Sequence, residues 1–233
     1  MAGSRGLIVA IDGPAGSGKS TTARLLAHRL GYLHIDTGAM YRAMTLKVIR
    51  AGIDPRDHES VSHLARETEI RLESLEKGVR VFLDGEDVSD EIRMLEVTAR
   101  ASLVSEIPFV RDILVRAQQA MGCEGGVVLE GRDIGTVVFP DADVKIYLDA
   151  DLQTRALRRH QEMISTGIEI RLETVKMDLE ERDAYDSERE HSPLRKAPDA
   201  IITDTSDLTI DQQVDRVEAL VKKLIGSNTD TNQ

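Results

Sequence analysis

The sequence predicts an α/β protein: a parallel sheet covered by helices on both faces, with a small antiparallel insert. Short apolar runs that end at turns recur along the chain, as buried parallel strands do. Stretches of helical periodicity separate them, which is the alternation of a sheet wrapped by helices. One segment, Glu69 to Val88, breaks the pattern by alternating apolar and polar residues around two glycine turns.

The first strand is Leu7-Ile8-Val9-Ala10-Ile11, β-branched and closed by a Gly-rich turn, and a helix follows over Thr21 to Leu30. A second short run ends at Ile35, and Thr37 is placed to cap the helix Ala39 to Arg50. A helix over Asp57 to Thr68 leads into the meander, where Ile70 and Leu72 alternate, then Val79, Val81 and Leu83, with turns at Lys77-Gly78 and Asp84-Gly85. Helices over Asp90 to Ser105 and Pro108 to Met121 complete that region. Strands at Val127-Val128-Leu129, Val144 to Leu148 and Ala200-Ile201-Ile202 then alternate with helices Leu152 to Ser165, Leu172 to Arg189 and Ile210 to Ile225. The expected organisation is a core domain of residues 1–52, 110–153 and 168–225, an inserted lobe of 53–109, a lid of 154–167 and a disordered polar tail of 226–233. Gly52 and Gly167 read as hinges.

A chain of 233 residues has room for one such domain with a lobe. It has 41% hydrophobic residues but only 3% aromatic and no Trp, so its core must be aliphatic. No apolar run approaches the ~20 residues of a membrane span, and Leu7 to Ile11 is too short for a secretory signal. A cytoplasmic location is expected, and a single cysteine, Cys123, agrees with a reducing compartment. The net charge of −11 argues against nucleic acid as a partner, because displacing phosphate counterions needs a broad positive field. The basic residues are mostly Arg, whose planar fork matches phosphate oxygens in pairs, and this suits a small anionic substrate. No long apolar stripe is left without a home, so a monomer is expected.

Gly13-Pro14-Ala15-Gly16-Ser17-Gly18-Lys19-Ser20 fits G-x-x-x-x-G-K-[ST] between a strand and the helix opening at Thr21. Its glycines let successive N–H groups turn inward toward phosphate oxygens, and the helix N-terminus adds a favourable field. Lys19 is expected on the β- and γ-phosphates of ATP, and Ser20 as a ligand of the bridging Mg²⁺. The chain has no Asn-Lys-x-Asp to select guanine and no strand ending in paired Asp-Glu to activate water, so transfer to a bound acceptor remains.

Three stations suit that acceptor. Asp36-Thr37-Gly38-Ala39-Met40-Tyr41-Arg42 leads into a helix with Arg42 one turn inside it. Glu130-Gly131-Arg132-Asp133 follows a buried strand, at the carboxyl end where open α/β sheets bind ligands. Val175, Leu179, Arg182, Asp186 and Arg189 recur at helical spacing, so a face that begins in the core ends in charge; a solvated salt-bridge ladder is the competing account. Arg155, Arg158 and Arg159 form a basic arm able to close over a triphosphate, and a plain exposed helix would look the same.

These motifs identify a family. IDGPAGSGKST, DTGAMYR, LEGRDIGTVVFPDADVKIYLDA and ERDAYDSER make the chain similar to bacterial cytidylate kinases, which phosphorylate CMP and dCMP, from Ile8 to about Ile225. Adenylate and shikimate kinases do not carry GRDIGTVVFPDA. The resemblance implies a P-loop nucleoside monophosphate kinase fold: a five-stranded parallel sheet, a monophosphate-binding lobe enlarged by a β-insert, and a short lid. It further implies Ser102, Arg111 and Asp133 as cytosine contacts, Arg182 and Asp186 as sugar contacts, and Arg42, Arg132 and Arg189 as acceptor-phosphate contacts. Asp36 and Thr37 join the CMP site, Arg158 and Arg159 the ATP site, and Lys19, Arg42, Arg132 and Arg189 the transfer itself. Thr37 stands where the family often has Ser, and Glu130 at a strand end that takes Asp or Glu. Two alternatives stay open on the residues: another monophosphate kinase on this scaffold, and a nucleotide-binding module without transfer activity.

Overall fold

The computed structural model describes residues 6–75 and 78–230. In chain order the core begins with β1 (Ile8–Asp12), α1 (Lys19–Leu30), β2 (Leu33–Asp36) and α2 (Thr37–Arg50). The next segment holds α3 (His58–Arg66), β3 (Ile70–Leu75), β4 (Gly78–Leu83), β5 (Glu86–Asp87), α4 (Leu95–Glu106) and α5 (Pro108–Gly122). The chain then returns to the core through β6 (Val127–Gly131), β7 (Val144–Asp149), α6 (Leu152–Ser165), α7 (Leu172–Glu188), β8 (Ile201–Asp204) and α8 (Ile210–Asp230).

Five strands make one parallel sheet in the order β2-β6-β1-β7-β8, and β3-β4-β5 form a separate antiparallel sheet. β1 is central and buried along its whole length, which is why its sequence reads as a continuous apolar run rather than an alternation. Its side chains still divide by face. Val9 and Ile11 pack with Ala23 and Leu26 of α1 and Val217 and Val221 of α8, while Ile8 and Ala10 pack with Leu129, Ile134 and Val138. Each fully buried Val, Leu or Ile contributes up to roughly 1.5–3 kcal/mol of transfer free energy, so this aliphatic sandwich needs no aromatic core.

Register brings the functional chemistry to one edge. Asp12 lies opposite Gly131, and Asp36 opposite Glu130, so the carboxyl ends of β1, β2 and β6 finish side by side. α2 faces two apolar clusters: Met40, Met44 and Val48 meet Val61, Val104 and Leu114, whereas Ala43 and Leu46 meet Val81, Leu83 and Ile92 of the insert. The inserted segment is therefore attached through α2.

Several local expectations differ. Asp36, not Thr37, caps α2: its carboxylate accepts the Ala39 N–H at 2.8 Å, and Thr37 is already helical with its hydroxyl donating to the Glu130 carbonyl at 2.7 Å. α1 starts at Lys19 because Gly18, at φ 91°, turns the chain straight into it. The helix expected from Asp90 is split into a 3₁₀ turn, Glu91–Arg93, and α4, with Met94 extended between them at φ −56° and ψ 145°. Burial of Ile92 against α2 fixes that break, which helical periodicity does not reveal. α8 runs to Asp230 where disorder was expected from Gly226; no proline stops it, and extending a helix costs far less than starting one. Residues 231–233, and residue 77 of the expected Lys77-Gly78 turn, lie outside the described residues. No helix among the described residues is long and apolar enough to cross a membrane.

Candidate active site

The loop between β1 and α1 is built on backbone that only glycine adopts cheaply. Gly13, Gly16 and Gly18 have φ of 149°, 77° and 91°, and a Cβ at Gly13 would sit 2.0 Å from the Leu148 carbonyl oxygen. Within the loop the Pro14 carbonyl accepts from Ser17 Oγ at 3.0 Å and from Lys19 Nζ at 2.6 Å, so Lys19 lies folded across it. Burial pushes the Lys19 ammonium well below its usual range, and neighbouring Arg132 adds to this. A cation held at such cost is stabilised by an arriving anion. Asp183 of α7 accepts the Ala15 N–H at 3.4 Å and pairs with Arg155, which also donates to the Ala15 carbonyl at 3.0 Å.

At the strand ends, Asp12 accepts the N–H groups of Ile134 and Gly135 at 2.8 and 2.7 Å. These are orphan donors of the π-helical turn Ile134–Val138 that follows the Arg132-Asp133 pair. Burial pushes the Asp12 carboxyl up to about 6 in spite of both bonds. Next to it Ser20 Oγ donates to Glu130 Oε2 at 2.7 Å, while Glu130 Oε1 is buried with no hydrogen-bond partner among the described residues. His34 Nε2 stands 3.6 Å from that oxygen. A hydroxyl and a carboxylate side by side are the oxygen donors that a hard divalent cation prefers.

The acceptor-side residues, Asp36, Thr37, Arg42, Ser102, Arg111, Arg132, Asp133, Arg182, Asp186 and Arg189, all line one cleft of ≈ 840 Å³ that also holds Lys19 and Ser20. Their pairing follows the fold and not the order in sequence. Asp133 pairs with Arg111 of α5 and not with its neighbour Arg132. Arg132 Nε instead donates to Asp186 Oδ2 of α7 at 2.9 Å, and Arg189 Nη1 lies 3.8 Å from the other Asp186 oxygen. Arg42 reaches Asp36 at 3.1 Å, and Arg111 donates to the Ser105 carbonyl at 3.0 Å with its guanidinium 5.2 Å from the Tyr41 ring centre. Burial raises the Asp186 carboxyl, but Arg132, Arg182 and Arg189 together outweigh it and hold the group below its ordinary value. Arg182 is pushed down to about 10 by burial and then by Arg132. Arg182 Nε, Arg189 Nη2 and Arg111 Nε are buried with no hydrogen-bond partner among the described residues. Arginine charge therefore exceeds carboxylate charge here, and several buried guanidinium donors are left without a partner among the described residues.

Of the expected ATP-binding residues in the loop between β1 and α1, Ala15, Gly16, Gly18, Lys19, Ser20 and Thr21 line the cleft, and Gly13, Pro14 and Ser17 are not among its lining. Arg158 and Arg159 line the cleft but are not a free arm: Arg158 is tied to the Thr205 carbonyl at 2.5 Å, and Arg159 to Glu162 at 2.7 Å. The α7 face expected from spacing is real, with Val175, Leu179 and Asp186 all buried. Asp12, Tyr41 and Asp183 were not singled out by the sequence reading. All three sit inside quoted motifs next to residues that were: Asp12 before Gly13, Tyr41 before Arg42 and Asp183 after Arg182.

Comparison with known proteins gives one answer. The family model described as cytidylate kinase matches residues 9–223. A cytidylate kinase from Geobacter sulfurreducens is 50% identical over 222 residues, covering 95% of both chains. One from Geobacillus thermodenitrificans is 48% identical over 95% of this chain and 99% of its own, and one from Pelodictyon phaeoclathratiforme is 51% identical over 94% and 96%.

Proposed function

We propose a function from the premise that this chain belongs to the cytidylate kinase family: it is a phosphotransferase that moves the γ-phosphoryl group of ATP to CMP or dCMP, giving CDP or dCDP and ADP. The observation that carries it is one cleft running from the P-loop to the Arg111–Asp133 pair, walled by arginines in excess of carboxylates.

The acceptor is itself a phosphate, with a second pKa near 6, so at neutral pH it is largely a dianion and requires no general base. The work left to the protein is to bring two mutually repelling anions into line. In this reading Lys19 and the loop N–H groups hold the triphosphate, with Arg158 and Arg159 on its outer side, and Arg42, Arg132 and Arg189 neutralise the acceptor phosphate. Ser20, with Glu130 beside it, would hold Mg²⁺, which would supply charge neutralisation for the triphosphate. Asp36 orients Arg42, and Thr37 fixes the strand end that carries Glu130. Arg182 and Asp186 contact the sugar, and Ser102, Arg111 and Asp133 read the base. Cytosine offers N3 and O2 as acceptors and an N4 amino group as donor, which match an Arg and an Asp side by side. Uracil would place its O4 against the carboxylate. The working protein is read as a cytoplasmic monomer, supported by its lone Cys123 and by the packing of the aliphatic residues of β1, α1 and α8 inside the fold.

Steady-state kinetics with ATP and a panel of CMP, dCMP, UMP and AMP tests this. CMP and dCMP are expected to be strongly preferred, and equal kcat/KM for CMP and UMP would overturn the base assignment.

A further inference from the structure

We propose that Thr205 and Gln213, neither of which lines the cleft, are positioning residues for ATP: they pin the Ser17 carbonyl from behind and thereby aim the Gly18 N–H at the triphosphate. The Ser17 carbonyl accepts from Thr205 Oγ1 and from Gln213 Nε2, each at 3.2 Å. Both residues are fully buried, one just after β8 and the other in the first turn of α8.

The Ser17–Gly18 peptide is trans, as are all those described, so its C=O and N–H point in opposite directions. A carbonyl tied toward β8 and α8 leaves the amide facing the other way, and Gly18 lines the cleft. No side chain caps α1 at Gly18, and with no Cβ to restrict its φ the orientation of the Ser17–Gly18 peptide depends on what holds the Ser17 carbonyl. A rotated peptide would turn the Ser17 oxygen toward phosphate and replace attraction with repulsion.

The anchors are specific in their hydrogen bonding. The Thr205 hydroxyl also reaches the Asp149 carbonyl at 2.9 Å, an oxygen that accepts the Thr205 N–H at 2.8 Å as well. The single hydroxyl proton is therefore shared between the Ser17 and Asp149 carbonyls, both within hydrogen-bond reach, while the hydroxyl oxygen accepts from Arg158 Nη1 at 3.1 Å and Gln213 Nε2 gives the Ser17 carbonyl an undivided donor. Gln213 is packed so closely that a Cβ on Gly18 would come within 2.7 Å of its Nε2. One buried joint therefore ties the loop, the end of β7 and the arginine of α6 together.

This inference rests on the reading that the loop holds ATP, so the test measures ATP binding by calorimetry alongside steady-state KM values for ATP and CMP. Wild type, Thr205→Val, Gln213→Leu and the conservative Thr205→Ser are compared. Thr205→Val and Gln213→Leu are each expected to weaken ATP about tenfold, the scale of one buried hydrogen bond, with KM for CMP changed by less than about twofold. Thr205→Ser keeps wild-type affinity. ATP binding unchanged in Thr205→Val and Gln213→Leu, or ATP and CMP weakened in parallel, overturns the proposal. If Thr205→Val does not fold, Gln213→Leu decides. A wild type that binds ATP but leaves CMP unphosphorylated would refute the proposed function and leave this inference to be decided on ATP binding alone.

Discussion

Arg132 and Asp186 lie 54 residues apart in sequence and 2.9 Å apart in the fold. Their pairing holds a guanidinium that lines the cleft, and in the proposed function it neutralises the acceptor phosphate. Arg132→Ala is expected to lower kcat/KM by at least ~100-fold, the cost of losing one donor to a transition state; near-normal turnover would remove Arg132 from the mechanism. Asp186 makes a second, pH-dependent prediction. Its carboxyl is held below the ordinary 3.8, so the folded state binds fewer protons than the unfolded state in the range just below that value. The stability it contributes is complete above that range and is lost as pH falls through it. In urea unfolding, the gap between wild type and Asp186→Asn should be constant from about pH 6 to about pH 5 and narrow toward about pH 3. A gap that stays the same down to about pH 3 would contradict the charge assignment.

At the scale of the element, the turn from β1 to α1 depends on glycine for reasons of space as well as of torsion. Gly13 combines φ 149° with a neighbouring carbonyl oxygen 2.0 Å from where a Cβ would lie. That oxygen belongs to β7, so a methyl group there must push the loop away from the sheet or force the two strands apart. Gly13→Ala is expected to cost about 1–3 kcal/mol or more of stability, by the usual scale of overpacking, and to weaken ATP binding at the same time. Thermal denaturation and ATP titration of the variant check both, and a stable variant with normal affinity would show that the loop tolerates the shift. The π-helical turn after β6 is a further element that helical patterning cannot announce. It exists because the Asp12 carboxylate of β1 satisfies the first two N–H groups of Ile134–Val138.

At the scale of the whole molecule, the cleft is lined by residues of 53–109 and 154–167 as well as by the rest of the chain. Arg158 and Arg159 belong to 154–167, Arg93 and Ser102 to 53–109, and Arg42, Arg132 and Arg189 to the remainder. Charges of one sign held apart in this way favour an open arrangement, and a pair of bound anions favours a closed one. We expect a ligand that spans both sites to shrink the molecule, through movement of the 53–109 lobe and the 154–167 arm. Small-angle scattering with and without a bisubstrate compound should show a smaller radius of gyration when it is bound, and identical profiles would refute the closure.

The strands, the antiparallel insert, the phosphate loop and the charged end of α7 were all legible in the sequence. Each is a local matter: continuous apolar runs, alternation of period two, glycines at fixed offsets, and spacing of three and four on a helix. Glu130-Gly131-Arg132-Asp133 could likewise be placed at the carboxyl edge of the sheet because it follows a strand. What the sequence left undecided is who pairs with whom. Asp133 joins Arg111 and Arg132 joins Asp186, Asp36 takes the cap expected of Thr37, and Arg158 is tied to the β8–α8 loop, because strand register and helix packing bring distant groups within hydrogen-bond range. Periodicity tells which face of an element is apolar, but only the three-dimensional packing decides which buried charge stands opposite which, since each must find a partner once water is gone.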